Sequence, residues 1–335
     1  MSLGPEASIT DDKTVATIDA ADEREPGEKA IAGRSLRQIA WRRLKKDRVA
    51  MGGGIVVLLL IALAILAPVL TKLFGYPIDE YHQDQIDATF GTPIGDFGGI
   101  SSDFLLGVEP TSGRDVFSRI LYGAQTSLTV AFLSAFVSTF LGTVFGAAAG
   151  FLGGWVDSVI SRVMDFLLAF PQLLFSIALV SVLPSTMFGL DSRWSRIVVL
   201  VGVIGFFGWP YIGRIVRGQT LSLREREFVE AARSMGARSP RIVFRELLPN
   251  LAAPILVYAT LIIPTNILTE AALSFLGVGI PPPNPSWGGM LSDAVATYSI
   301  NPTYMIIPGA MIFITVLAFN LFGDGLRDAL DPKAR

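Results

Sequence analysis

Residues Thr126–Phe151 read TSLTVAFLSAFVSTFLGTVFGAAAGF, a stretch of 26 residues without any Asp, Glu, Lys or Arg. At a rise of 1.5 Å per residue, a helix of this length reaches about 39 Å, which exceeds the roughly 30 Å hydrocarbon core of a bilayer. A second stretch, Leu251–Leu276, has the same length and one charged residue, Glu270. These two stretches predict membrane-spanning helices and exclude an ordinary soluble domain.

Four further apolar stretches bring the number of predicted spans to six. The six are Met51–Thr71, Thr126–Phe151, Met164–Leu183, Ile197–Gly213, Leu251–Leu276 and Tyr304–Phe322. The composition agrees, because 51% of the residues are hydrophobic and only 17% are charged, whereas soluble proteins average about 25% charged residues. The predicted fold class is an all-α polytopic membrane protein with six transmembrane helices.

The residue inventory also excludes several kinds of chemistry. The chain has no cysteine and one histidine, His82. Disulfides, iron–sulfur clusters and thiol catalysis are therefore excluded, and so is an H-E-x-x-H zinc site, which needs two histidines. We expect no catalytic residue, no metal site and no nucleic acid partner.

The distribution of Lys and Arg predicts the orientation in the membrane. With the N-terminus inside, the predicted cytoplasmic segments hold 22 of these residues and the external segments hold five. The five external residues are Lys72, Arg114, Arg119, Arg193 and Arg196. Because cytoplasmic loops of membrane proteins are enriched in Lys and Arg, both termini are expected in the cytoplasm.

Composition shifts divide the chain into six predicted segments. These are a disordered acidic cytoplasmic tail (1–33), a basic amphipathic helix (34–50), the first span (51–72), an external loop (73–124), a core of five spans (125–323) and a cytoplasmic C-terminal tail (324–335). The basic helix would lie on the lipid of the anionic inner leaflet. The alternative is a basic flank that only orients the first span.

The cytoplasmic loop 214–250 predicts two short helices. Ser222 and Glu225 match a capping box, so a helix should begin there. Gly236 is suited to end it in the left-handed conformation. Ser239 and Pro240 should start a second helix, as N-cap and first residue, which Pro249 stops.

The first of these helices carries an apolar face at helical spacing. Its residues are Phe228, Ala231, Ala232 and Met235. An exposed apolar stripe on so small a unit indicates a partner protein. The alternative is that the stripe packs on the spans of this chain.

This loop resembles the EAA loop of ATP-binding-cassette importer permeases. Glu230, Ala231 and Ala232 are followed after three residues by Gly236, and after the family's spacing by Leu248 and Pro249. Glu246 stands where the family pattern has an aliphatic residue.

Three further motifs resemble those of dipeptide and oligopeptide permeases. They are Leu106-Gly107 with GRDVFSR at 113–119, EAALSFLG at 270–277 and PSWG at 285–288. Val108-Glu109 replaces the Thr-Asp of the family motif. The resemblance covers about residues 35–332 and identifies the chain as a member of this family.

The resemblance implies a type I importer permease in a bacterial cytoplasmic membrane, with the EAA loop as its coupling element. It implies a homologous permease as heterodimer partner, two cytoplasmic ATPases, an extracytoplasmic binding protein and a di- or oligopeptide substrate. The chain has no G-x-x-x-x-G-K-[ST] phosphate loop. ATP and Mg²⁺ are therefore expected on the ATPases, and no cofactor on this chain.

Two groups of residues within the spans stand out. Glu270 is the carboxylate deepest in a span, and Asn266 lies one helical turn before it. The pair belongs either to the substrate pathway or to a hydrogen-bonded helix lock, because an ionised group facing lipid would cost several kcal/mol. Gly142, Gly146 and Gly150 form a small-residue ridge, which permits close helix packing and could be the seam with the partner permease.

The main alternative function is a proton-coupled secondary transporter that uses Glu270 as its proton site. Such carriers tend to show inverted repeats and several embedded ionisable residues, and neither is found here. An intramembrane enzyme is less favoured still, because His82 lies outside the predicted spans and the spans offer no pair of acids.

Overall fold

A computed structural model describes residues 36–330 except Ser185 and Phe188. Within this part of the chain the regular structure is helical apart from two isolated β-bridges. The helices are α1 (Leu36–Lys46), α2 (Arg48–Phe74), α3 (Val116–Leu152), α4 (Gly154–Ala169), α5 (Gln172–Val182), α6 (Ser192–Arg224), α7 (Glu227–Ser234), α8 (Ser239–Arg241), α9 (Leu248–Phe275), α10 (Trp287–Ala294) and α11 (Thr303–Leu330). The predicted acidic tail, 1–33, lies outside the described residues.

Five helices of the described chain are long and apolar enough to cross a membrane. They are α2, α3, α6, the continuous helix Ser239–Phe275 and α11. The remaining predicted span, Met164–Leu183, is wrong as a single straight helix. It contains the end of α4 and the whole of α5, two helices that are bent by 84° at a short break and can count together as a sixth span. Pro171 lies in this break, and a proline removes a helical hydrogen bond at such a position.

Several helices extend beyond their predicted ends. Helix α3 begins at Val116, ten residues before the predicted start, because the Asp115 carboxylate accepts hydrogen bonds from the amides of Phe117 and Ser118. Helix α11 continues to Leu330, so the predicted C-terminal tail at 324–335 is helical over its first seven residues. The external loop is correspondingly shorter than predicted and runs from 75 to 115.

The predicted basic helix, 34–50, ends earlier than expected. Helix α1 ends at Lys46 and the Asp47 side chain caps α2 by accepting from Val49 N and Ala50 N, at 2.9 and 3.0 Å. Leu44 is buried in a small cluster with Ala50 and Ala329. The start of the described chain therefore packs on the end of α11.

Of the described helix pairs, α3 and α6 make the most extensive contact, and the glycine ridge lies between them. A methyl group added at Gly142 would lie 2.7 Å from Ile212 Cβ, and one added at Gly150 would lie 2.7 Å from Thr220 Cβ. The ridge thus packs on a helix of its own chain. The expectation that it forms the seam with a second permease is wrong, because α6 already fills the space in front of it.

Candidate functional site

The cytoplasmic unit begins later than the sequence suggested. Helix α6 continues through Ser222 to Arg224, so the predicted capping box at Ser222 and Glu225 is wrong. The end of α6 is tied to α3 because Arg224 Nη1 donates to Gly150 O at 3.0 Å. Helix α7 starts at Glu227, and its end is followed by Gly236 with φ of +78°, the left-handed conformation.

Helix α7 has two apolar faces instead of one. Val229 and Ala232 are buried in a cluster that includes Ile212 and Val216 of α6, together with Ile242 and Leu247. The other members of the predicted face, Phe228, Ala231 and Met235, point away from this cluster and are exposed, as is Glu230. The prediction of one continuous face is wrong, because Ala232 belongs with Val229 on the inner side.

A wide helical turn connects this unit to the membrane. Residues Ile242–Leu247 form a π-helix between α8 and α9, so the predicted second helix does not stop at Pro249 but continues to Phe275. The two buried residues of the turn, Ile242 and Leu247, are five positions apart, as the wider turn requires. Leu247 therefore occupies the buried position, and the departure from the family pattern at Glu246 leaves that side chain only partly buried.

The outer surface of the unit combines exposed apolar side chains with charges of both signs, including the exposed arginines Arg226, Arg233 and Arg238. Met235 is 81% exposed and Phe244 is 69% exposed. Glu227 and Glu230 lie in the first turn of α7, where a carboxylate interacts favourably with the helix dipole. Leu248 lies beside Phe244 in the lining of an apolar groove of about 330 Å³ between α3 and the π turn. Pro249 is exposed at its end.

Glu270 lies where α9, α3 and the start of α10 meet. It is fully buried and accepts a hydrogen bond from Ser274 Oγ at 2.6 Å. The Ser127 and Ser286 hydroxyls lie near the same carboxyl, from α3 and from the N-cap of α10, but Glu270 Oε2 has no hydrogen-bond partner among the described residues. Ser127 Oγ accepts a hydrogen bond from the backbone amide of Trp287, and Ser286 Oγ accepts one from the amide of Gly289. The hydroxyl proton of each serine therefore remains free to donate to another acceptor.

Asn266 forms a second polar link between the same helices. Its side chain is buried, and Nδ2 donates to Ala131 O of α3 at 3.4 Å. Both polar residues of α9 thus face neighbouring helices of this chain, which is the arrangement expected of the helix lock.

Another buried carboxylate lies outside the spans, and the sequence reasoning missed its role. Glu109 of the external loop is 2% exposed and accepts from Arg114 Nε, Ser112 Oγ and Tyr304 OH. Its Oε1 lies 3.5 Å from Arg119 Nη2. Burial raises the pKa of Glu109, but the charges of Arg119 and Arg114 outweigh this effect and hold the pKa below the ordinary 4.5.

The Glu109 cluster joins the external loop to α3 and α11. The only signal in the sequence was the replacement of Thr-Asp by Val108-Glu109 within the family motif. Loop charges are usually solvated, and nothing in the local pattern showed that Arg119 and Tyr304 would converge on this one.

Two ion pairs that the sequence reasoning also missed hold α4 against α6. Asp157 binds Arg217 through both carboxylate oxygens, and Asp165 pairs with Arg214. These arginines bind the cytoplasmic half of the bent helix pair to the helix that leads into α7. Over the residues that the structure describes, no group of three or more His, Cys, Asp or Glu side chains could hold a metal ion.

Comparison with protein families gives two matches along the chain. Residues 142–335 match the binding-protein-dependent transport system inner membrane component, and residues 35–91 match the N-terminal transmembrane domain of oligopeptide transport permease C. The first match covers more than half of the chain.

Curated relatives agree with both matches. The glutathione transport system permease protein GsiD of Pectobacterium atrosepticum is 43% identical over 296 residues, which are 88% of this chain and 90% of the relative. GsiD of Salmonella typhimurium is 44% identical over 295 residues, with the same coverage of both chains. The dipeptide transport system permease protein DppC of Alkalihalophilus pseudofirmus is 40% identical over 296 residues, again 88% of this chain and 90% of the relative.

A solved structure shows the same fold. The inward-facing MetNI methionine ABC transporter matches with a TM-score of 0.50 and 21% identity, over 64% of this chain and 97% of that chain. The spans, the cytoplasmic unit and the family matches lead to one conclusion. This chain is a multi-pass inner membrane protein and a non-catalytic permease of the ABC importer family that includes OppC, DppC and GsiD.

Proposed function

We propose that this chain pairs with a homologous permease subunit and that the two form the pathway through which short peptides enter the cell. Di- and oligopeptides are the proposed substrate class, and glutathione, a tripeptide, belongs within it. An extracytoplasmic binding protein would deliver the substrate to the external side. Two ATPase subunits would bind ATP and Mg²⁺ and supply the energy.

The observation that supports this proposal is the structure of the α7 unit. Its inner face is fixed to α6 and to the π turn through buried Val229, Ala232 and Leu247. Its outer face presents Phe228, Glu230 and Met235 to the cytoplasm. A partner that moves α7 would therefore move α6 and α9 with it as rigid bodies, which is how a cytoplasmic event can open and close a pathway.

The proton-coupled alternative is weaker. Glu270 is fully buried and hydrogen-bonded to Ser274, whereas a transport proton site needs access to water on both sides in turn. Membership of the ABC importer family also favours ATP-driven transport.

Helix α1 supports a contact with membrane lipid. Its Leu44 packs on the protein, while Trp41 is 57% exposed and carries Lys45 Nζ at 5.8 Å from its ring centroid. Exposed Trp and Lys side chains are typical of the bilayer interface. The helix would therefore rest on the inner leaflet.

The coupling role is tested by charge reversal on α7. Glu230→Arg reverses one of the two exposed carboxylates of α7, and Gly236→Pro abolishes the positive φ that ends the helix. Both variants should remain in the membrane with the second permease but lose ATPase binding and ATP-dependent uptake, by about tenfold or more. Asp324→Arg, which reverses an exposed carboxylate near the end of α11 and outside α7, is the matched control.

Co-purification and uptake into proteoliposomes measure the two effects separately. If Glu230→Arg and Gly236→Pro both transported at the control rate, the proposed coupling surface would be refuted. A wild-type complex that moved peptide without any ATPase would refute the importer proposal itself.

A further inference from the structure

A polar cavity lies at the external end of the helical bundle. It measures about 250 Å³ and lies between the starts of α3 and α6, helix α10 and the loop 277–286. Arg119, Arg196 and Asp293 supply its charged lining. Ser274, the hydrogen-bond partner of Glu270, also lines it, so the cavity borders the buried polar site between α9 and α3.

The two arginines differ in how their charge is balanced. Arg119 Nη2 lies 3.5 Å from Glu109 Oε1, and Arg119 Nη1 donates to Pro283 O at 3.2 Å. Arg196 Nη1 donates only to the neutral carbonyl of Val180, at 2.8 Å. In the part of the chain that the structure describes, no carboxylate lies within 4.0 Å of Arg196, and its buried Nε has no acceptor.

An unbalanced guanidinium at a cavity wall favours an anionic ligand. A half-buried cation retains a desolvation penalty that a carboxylate relieves, and arginine matches a carboxylate with two parallel hydrogen bonds. Asp293 also lines the cavity, but it hydrogen-bonds to Glu109, and burial together with the charge of Glu109 raises the pKa of Asp293. The cavity therefore presents Arg196 as a cation for a carboxylate.

The size of the cavity limits what it can hold. Sites for whole drug-sized ligands measure about 300–1,000 Å³, so a cavity of about 250 Å³ fits one or two amino acid residues. A dipeptide fits, or the terminal part of a longer peptide.

We propose that this cavity is an outer binding site for the carboxylate end of a zwitterionic peptide and that Arg196 is its anchoring residue. The proposal rests on the proposed function, because it assigns a place in the pathway to the substrate class named there. It adds the prediction that the permease itself, and not only the binding protein, prefers peptides with a free terminal carboxylate.

The first test measures binding at Arg196 in the purified full complex. Phenylglyoxal modifies accessible arginines, and mass spectrometry reports each modified position. Alanyl-alanine at about ten times its dissociation constant should slow the modification of Arg196 by about tenfold, since only the unoccupied fraction remains reactive. Alanyl-alanine amide, which lacks the carboxylate, should give little protection.

Arg193 provides the matched internal control. It lies three residues earlier in α6, has no carboxylate partner among the described ion pairs and hydrogen-bonds to Gln125 and Thr126. It does not line the cavity. Equal protection of both arginines, equal protection by the dipeptide and its amide, or no protection would each overturn the proposal. Protection by phosphatidylglycerol nanodiscs instead of the dipeptide would make the cavity a lipid site and overturn it too.

A transport measurement adds a second test, because a merely structural role of Arg196 would not change the ratio of the transport rates of free and amidated peptide. With the binding protein saturated by either peptide, Arg196→Gln should reduce the rate ratio of free to amidated peptide to about one, whereas Arg196→Lys and Arg193→Gln should preserve a preference. A proportional loss for both peptides would show a structural role and refute the proposal. Failure of the proposed function would look different, since the wild type would then show no ATP-dependent uptake while the protection result stood unchanged.

Discussion

Replacement of Glu109 by glutamine should destabilise the protein strongly. The Glu109 side chain is 3% exposed, and its arginine partners Arg114 and Arg119 are 11% and 4% exposed. Removal of one partner from a buried ion pair costs about 3–5 kcal/mol, because the remaining charge stays buried. Asp293 lies near both arginines and compensates in part, so we expect the lower value, about 3 kcal/mol, or roughly a 150-fold loss in the folded-to-unfolded ratio.

The assay is equilibrium unfolding in mixed micelles, followed by tryptophan fluorescence. Glu80→Gln is the matched control, since this carboxylate lies in the same loop and pairs with His82 at 3.5 Å while remaining half exposed. An exposed pair contributes about 0–1 kcal/mol. If Glu109→Gln unfolded at the same midpoint as the control, the cluster would not stabilise the fold as argued.

The pH dependence of the same two proteins provides a second check. The folded pKa of Glu109 lies below its ordinary value of 4.5, so the folded state binds this proton less readily than the unfolded state does. The stabilisation is therefore fully present above about pH 4.5 and is lost as the pH falls towards the lowered pKa. The wild type should approach the stability of Glu109→Gln in this acidic range, and a constant difference down to pH 3 would contradict the assignment.

Two further predictions concern the membrane helices. Gly146→Leu should destabilise the bundle by about 3 kcal/mol, because even a methyl group added there would lie 2.9 Å from Val216 Cβ. The control in the same unfolding assay is Gly202→Leu, at a position of α6 with open space around it. Equal stability of the two variants would refute the close packing. Glu270→Gln should lower the free energy of unfolding or of subunit assembly by about 1–2 kcal/mol, while substrate preference stays unchanged. Altered preference with normal assembly would place Glu270 in the substrate pathway instead of in a hydrogen-bonded contact between helices.

The membrane class and five of the six predicted spans were predictable because they depend on local composition. A run of some twenty apolar residues must form a helix in a bilayer, since no water is present to satisfy its backbone. The left-handed residue at Gly236 followed from local chemistry in the same way, and its φ of +78° agrees.

Helix ends were predicted poorly where distant contacts determine them. Ser222 has the sequence of a capping residue, yet α6 continues through it, because Thr220 packs on Gly150 and Arg224 binds the carbonyl of that same glycine. Pro249 looks like a stop signal, yet the π turn before it carries the chain on into α9.

Some features of the candidate site likewise depend on local sequence, and others depend on tertiary packing. The sequence alone indicated the membrane fold class and a short helical unit between two spans, since each depends on residues close together in the chain. Only the tertiary structure decided which face of α7 is free, which helix covers the glycine ridge, and that Glu109, Arg119 and Tyr304 meet although 195 residues separate Glu109 from Tyr304. The physical reason is that burial and charge pairing depend on the packing of separate helices, which no local pattern records.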